Sequence, residues 1–274
     1  MITLVMIIPV IMVLSTSFSP QQEVLKYGMR FFPTTGISLE SFEYVLKASD
    51  GFIRSYAVTA FVTVVGTLLS MVVTCITAYG LSKNEMPGRK FIFLMFFFTM
   101  LFSGGLIPGF IVVNSVGLYN TVWALIVPGL MSIWYMILMV NFYQSIPASL
   151  EQSARIDGAN DIVILLKIVL PLSLPSIATI SLFYAVAYWN QWFASIIYTN
   201  KPALKTLQVL IKDMISSVDF AAMFGTAIDP STSPPPGLMI KCAAVVITIL
   251  PIMLVYPSLQ KYFVKGVMVG AVKG

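Results

Sequence analysis

The chain of 274 residues is 58% hydrophobic and only 10% charged, with a mean hydropathy of +0.91, against roughly 25% charged residues in soluble domains. That balance excludes an ordinary soluble domain and predicts a single polytopic helical domain over 1–274. Uncharged runs of about 20 residues recur, whereas barrel strands would alternate over about 10. The formal charge of +5 is modest, histidine is absent, and Cys75 and Cys242 lie in separate apolar runs. Nucleic-acid binding, metal chemistry and a disulfide framework therefore have little support.

Met1 to Phe18 is apolar but short for a crossing. It has no basic flank and no A-x-A-like cleavage site, so it reads as a first transmembrane helix lacking its start rather than as a signal peptide. Ser19 to Arg54 is polar, mixed in charge and broken by Pro20, Pro33 and Gly36, which makes it a loop on the opposite face. Ser55 to Ser82 is uncharged and rich in small residues, the composition of a closely packed second span. Lys83 to Lys90 (KNEMPGRK) is a short basic turn, and short basic loops are cytoplasmic.

Phe91 to Leu150 contains no Asp, Glu, Lys or Arg and is too long for one crossing. Asn114–Asn120 (NSVGLYN) divides it into spans over 91–113 and 121–143, inside which Gly104, Gly105, Pro108 and Pro128 are expected to loosen the helices. A fifth span is predicted over 172–197 and a sixth over 238–260. Between them, Thr199–Gly237 is polar, with an amphipathic piece (Leu204, Leu207, Ile211, Met214 on one face) and a proline-rich run from Pro230. Six spans put both termini on one side. Total Lys and Arg divide evenly between the faces, but their concentration in short loops makes that side cytoplasmic.

One stretch does not belong in lipid. Ser149–Pro171 (SLEQSARIDGANDIVILLKIVLP) carries Glu151, Arg155, Asp157, Asp161 and Lys167 between two uncharged runs. An ionised side chain at a helix centre costs roughly 2.5–3.5 kcal/mol, so the island stays outside the hydrocarbon. Ser149 and Gln152 form a capping-box pattern after Pro147, Gly158 is a helix stop, and Asn160 or Asp161 can cap a second helix running into Pro171. Helix, tight turn, helix is the predicted form.

This stretch resembles the cytoplasmic EAA loop of binding-protein-dependent ABC transporter permeases, whose pattern is E-A-A, three residues, Gly, nine residues, then I-x-L-P. Here Gln152-Ser153-Ala154, Gly158 and Ile168-Val169-Leu170-Pro171 keep both spacings, with Gln152 in place of the motif's Glu, Glu151 just before it, and Ser153 in place of the first Ala. Tyr256–Gly274 (YPSLQKYFVKGVMVGAVKG), with the SARIDGAND segment and Tyr188-Trp189-Asn190, is similar to the sugar permeases related to the maltose transporter's smaller permease, especially their LplC-type branch. The resemblance implies the type I importer fold: all-α, six transmembrane helices, and a coupling helix between spans four and five. It implies a multi-pass permease of the bacterial inner membrane that performs no chemistry itself. Its implied partners are a second permease subunit, two cytoplasmic ATPase subunits that bind ATP and Mg, and an extracytoplasmic binding protein delivering an oligosaccharide, in this branch a uronate-containing or other complex one. Glu151, Gln152, Ser153, Ala154, Arg155, Asp157 and Gly158 would contact the ATPase, and the tail around Gly270–Gly274 would reach between its subunits.

Each assignment has a plainer competitor. Glu151, Arg155 and Asp157 also fit the solvated face of an interfacial helix. Tyr184, Tyr188 and Trp189 fit an aromatic belt as well as a sugar-stacking surface on the substrate pathway. Asn190 and Gln191 could bond sugar hydroxyls or neighbouring helices. An ion-driven transporter would place carboxylates or other charged groups inside its spans, and spans two to five have none; a membrane-embedded enzyme would need a nucleophile–base pair or metal ligands, for which a chain without histidine is poorly supplied. No G-x-x-x-x-G-K-[ST] occurs, so ATP binding falls to another chain.

Overall fold

The computed structural model describes residues 2–47, 51–224 and 237–271, and among these it contains helices and turns with no strand. In chain order the helices are α1 (Ile2–Ser17), α2 (Gln21–Tyr27), α3 (Glu40–Lys47), α4 (Phe52–Ser82), α5 (Arg89–Leu101), α6 (Leu106–Ser115) and α7 (Ile133–Ser145). They continue with α8 (Ala148–Ile156), α9 (Asp161–Ile164), α10 (Leu170–Leu172), α11 (Leu174–Trp189), α12 (Phe193–Tyr198), α13 (Leu207–Phe224) and α14 (Gly237–Ala271). The proline-rich run over 230–236 and the last residues, 272–274, lie outside the described residues.

Phe52–Ser82 and Gly237–Leu254 are each long and apolar enough to cross a membrane unbroken, and α1 offers a shorter apolar stretch, Val5–Ser17. Where the sequence predicts three more spans, the first two are bent pairs and the third is interrupted. The stretch at 91–113 is α5 and α6, turned by 117°. Phe102 there is extended and Gly105 sits at φ 87°, a left-handed value that glycine adopts without strain, and Pro108 follows where a first helical turn tolerates it. At 121–143, two short 3-10 turns (Val122–Leu125 and Val127–Gly129, the latter holding Pro128) precede α7 at a 49° bend. The helix predicted over 172–197 stops at Trp189 and restarts at Phe193. Glycine and proline therefore break the first two stretches outright rather than loosening them, whereas the third is interrupted at 190–192, which holds neither.

By internal contacts the chain forms two compact units, Met1–Thr59 with Asn200–Val255 and Ala60–Thr199 with Tyr256–Gly274. In the first, Leu207 and Ile211 of the predicted amphipathic piece are buried, along with Met239, Ile240 and Ala243 of α14. The backbone N–H that opens α13, at Leu207, donates to Thr59 Oγ1 at 2.8 Å, so one orphan donor of that helix is satisfied by a side chain.

The same unit holds a buried carboxylate in its polar loop. Glu23, 4% exposed, accepts from the hydroxyl of Thr34 (2.6 Å), the hydroxyl of Thr35 (2.7 Å) and both backbone N–H groups (2.9–3.2 Å). Arg30 Nη1 stands 4.0 Å away. The Thr34 hydroxyl, then the Thr35 hydroxyl, then the Thr34 N–H hold the carboxyl at about 2, well below its usual 4.5, against the opposing effect of burial. A depressed folded-state value means that the stabilisation is complete above the unfolded value and is lost as pH falls toward the folded one. The loop over 20–38 is therefore expected to resist proteolysis at neutral pH and down to about 4.5, then to lose that resistance progressively toward pH ~2. Glu23→Gln should be cut readily at every pH, which peptide mapping with neutral and acid proteases would read.

Candidate functional site

The polar island is built as two helices fixed end to end. Pro147 (φ −57°, ψ 125°) occupies the N-cap position of α8, and no side chain caps it. The expected Ser149–Gln152 capping box is not formed, because the helix is entered at Ala148 and Ser149 already lies inside its first turn. The far end matches its prediction. Gly158 takes φ 83°; its N–H donates to the Arg155 carbonyl at 3.1 Å and the Ala159 N–H to that of Ala154 at 2.9 Å, the paired bonds of a Schellman stop. Asn160 then caps α9, its side chain accepting from the Val163 N–H at 2.9 Å, and Arg155 of α8 pairs with Asp161 of α9.

Beyond α9 the backbone widens into a π turn over Leu165–Val169 just before Pro171. Proline has no N–H and its ring crowds the carbonyl of residue i−4, here Lys167, and a wide turn relieves both. At Ser173 the path then bends by 82° into α11. The I-x-L-P element is thus the corner between the surface helices and a long apolar one.

Gln152, Ser153, Arg155, Asp157 and Gly158 are exposed, whereas Glu151 and Ala154 are half-buried. Glu151 turns inward to an ion pair with Lys83, at the end of α4. Large apolar side chains stand open beside these polar ones, Ile156 being 86% exposed and Ile162 68%. A solvated polar face alone does not account for Ile156 and Ile162, which call for cover by a partner protein or by the membrane interface.

Tyr184, Tyr188 and Trp189 are buried in the second unit. The Tyr188 hydroxyl donates to the Ile126 carbonyl (3.2 Å) and shares a hydrogen bond with Ser70 Oγ (3.0 Å). The Tyr184 hydroxyl accepts the Ser132 N–H (2.9 Å) and shares one with Thr74 Oγ1 (2.8 Å). Gln191 Nε2 donates to the Leu125 carbonyl (3.0 Å), and exposed Asn190 bonds back to the Val186 carbonyl of its own helix (2.9 Å). Gln191 thus bonds a neighbouring segment, one of the two roles open to it in the sequence, whereas the tyrosine hydroxyls make bonds that neither an aromatic belt nor a sugar-stacking surface calls for.

The partners Ser70, Thr74 and Lys83 were not foreseen. A signal existed for the first two: Gly66, Ser70 and Thr74 recur every four residues on α4, matching Tyr184 and Tyr188 on α11, and positions four apart share a helix face. A Cβ at Gly66 would lie 2.8 Å from Tyr188 Cζ.

Long apolar helices, broken apolar stretches whose backbone is bonded by neighbouring side chains, and an exposed helix–turn–helix define a polytopic membrane protein. The chain belongs to the family described as binding-protein-dependent transport system inner membrane component, which matches residues 1–269. Its relatives include the polygalacturonan/rhamnogalacturonan transport system permease protein YtcP of Bacillus subtilis (strain 168), 46% identical over all of this chain and 95% of that one. Protein LplC of the same organism is 41% identical over 98% of this chain and 90% of its own length. Among solved structures, a bacterial ABC transporter involved in the import of the acidic polysaccharide alginate superposes with a TM-score of 0.85 at 33% identity, covering 96% of this chain and 92% of that one. The chain is accordingly an inner-membrane permease of the ABC importer type, related to sugar permeases.

Gly66→Val is expected to lower the stability of the detergent-purified protein by about 1–3 kcal/mol, the usual cost of overpacking a filled site. The companion Gly66→Val/Tyr188→Leu should recover part of that loss, and thermal unfolding of the two variants compares them.

Proposed function

We propose that this chain is one of two permease subunits of an ATP-driven importer for oligosaccharides of uronate-containing polysaccharides, and that α8 is the helix that docks on a cytoplasmic ATPase. The observation that carries the docking role is the form of α8: a short exposed helix stopped at Gly158, tied to α9 by Arg155–Asp161, and presenting Ile156 among polar groups. The substrate class is supported by the acidic polysaccharides named for YtcP and for the alginate importer.

In this reading two ATPase subunits hold ATP and Mg, an extracytoplasmic binding protein delivers the sugar, and the chain adds no covalent chemistry. Closure of the ATPase pushes on Gln152, Ser153, Arg155, Asp157 and Gly158, and the stiff α8–α9 joint passes the push through the Ser173 corner to α11 as a rigid-body tilt. Six crossings follow if α1 and each bent stretch count once, with both termini in the cytoplasm. Tyr184, Tyr188 and Trp189 then shape the substrate pathway by holding the broken backbone at 122–132, while exposed Asn190 and half-buried Gln191 stand at its edge.

Gly158→Val is the direct test. An added Cβ meets nothing within 4 Å, so its effect is conformational: the left-handed backbone costs an L-residue about 1–2 kcal/mol, and β-branching adds to that. The variant is expected to insert and to leave ATP hydrolysis running in the reconstituted transporter, while sugar uptake per ATP falls by about fivefold or more. Gly158→Asn, which tolerates the conformation, should lie between. Wild-type uptake by Gly158→Val would sink the docking role.

A further inference from the structure

Lys83 is the first residue after α4, and its ammonium does two things at once. It pairs with Glu151 in the first turn of α8, and it sits 4.3 Å from the centroid of the Tyr79 ring, four residues back on the same face of α4. The side chains of this pair are 23% and 19% exposed, against 48% and 60% for Arg155–Asp161 and 38% and 51% for Lys205–Asp213. Shielding from water strengthens an ion pair and reduces screening by salt.

The base on which Lys83 stands is also fixed. Arg89, at the start of α5, donates from Nε to the Leu81 carbonyl (2.7 Å) and from Nη1 to Asn84 Oδ1 (2.9 Å). Backbone bonds from Lys83 to Gly80, Met86 to Lys83 and Arg89 to Met86 close the turn (3.2–3.3 Å). Lys83 is thus a short arm on a stapled corner rather than a side chain on a mobile loop.

We propose that Lys83 is a positioning residue for energy coupling: through Glu151 it anchors the first turn of α8 to the end of α4. Force on α8 then reaches α4 as well as the α9–α11 side. A helix held only at Gly158 can swivel about that point when pushed. Held at Glu151 as well, it must carry two other helices with it. The pair also gives a role to the departure from the E-A-A pattern. Successive residues on a helix point ~100° apart, so the acid at 151 faces inward to Lys83 while Gln152 takes the exposed position. Glu151 then serves inside the subunit rather than on the ATPase.

This inference rests on α8 being the docking helix, so its test separates the two ideas. Lys83→Met, Glu151→Gln, Lys83→Arg and the swapped double variant Lys83→Glu/Glu151→Lys are each reconstituted in liposomes with the cognate ATPase, second permease and binding protein. Uptake and ATP hydrolysis are measured together, and ATPase co-purification is scored. Lys83→Met and Glu151→Gln are expected to retain the ATPase and hydrolyse ATP while sugar moved per ATP falls by about fivefold or more, the size of a modest coupling free energy. Lys83→Arg, which keeps the charge and the ring contact, should stay within about twofold of wild type, and the swap should restore most of the loss. Wild-type coupling in both single neutral variants, or a loss that the swap leaves untouched, would overturn the anchor. A wild-type chain that purified without any ATPase would instead count against the docking role of α8.

Discussion

In hydrocarbon a backbone N–H or C=O with no partner has no water to turn to, and leaving one unpaired costs roughly 2–7 kcal/mol on transfer scales. Most of this architecture answers that constraint. α4 meets it alone, by length: its 31 residues form one unbroken helix. The stretch from Val122 to Ser132 cannot, because Pro128 brings no N–H and 3-10 turns leave carbonyls pointing out. α11 and the residues just after it supply partners: Tyr184 for the Ser132 N–H and Gln191 for the Leu125 carbonyl, while Tyr188 adds a second bond to the Ile126 carbonyl, which already accepts the Gly129 N–H. Two such groups left unpaired would cost an amount comparable to the roughly 5–15 kcal/mol net stability of a folded domain. The aromatic cluster therefore makes a broken apolar stretch possible, and irregular backbone at membrane depth is tolerated where it is buried in protein or lines a path.

The same logic shapes the α4–α11 contact. Two tyrosines one helical turn apart need hydroxyl partners at matching spacing and room for their rings. Ser70 and Thr74 supply the partners and Gly66 the room, its missing Cβ allowing the Tyr188 ring to lie against the α4 backbone. Small residues every four positions let helices approach closely. Here they also leave each tyrosine bonded on both sides, to α4 and to the broken stretch, so that movement of α11 must either carry the backbone at 125–132 with it or break those bonds.

Membrane class and the polar island were legible because composition and charge are read directly from side-chain chemistry, and the Gly158 stop was legible because a left-handed residue after a helix is nearly a glycine monopoly. The family followed from the spacing between that glycine and Pro171. What escaped the sequence was the consequence of proline and glycine inside apolar runs. Phe91–Val113 is as apolar as a straight span, and hydropathy does not register that Gly104-Gly105 turns the chain by 117°. The capping box is absent for a related reason: Pro147 takes the N-cap position of α8, two residues before Ser149. Partners distant in sequence, such as Lys83 for Glu151 across 68 residues, leave no local trace at all.

For the proposed docking role, the two ends of α8 show how a stiff element can be made without a stable helix. Nine residues are too few to hold helical form alone in water, since nucleation is costly and isolated helices shorter than ~12–15 residues are marginal. α8 is helical because its ends are held: one by the Lys83–Glu151 pair, the other by the Gly158 stop and the Arg155–Asp161 pair. Its stiffness is therefore borrowed from α4 and α9, and it is greatest along the line joining those attachments. Gln152 and Ser153 are exposed and take no part in these attachments, so in the proposed docking a partner can press there without competing for the bonds that keep α8 rigid.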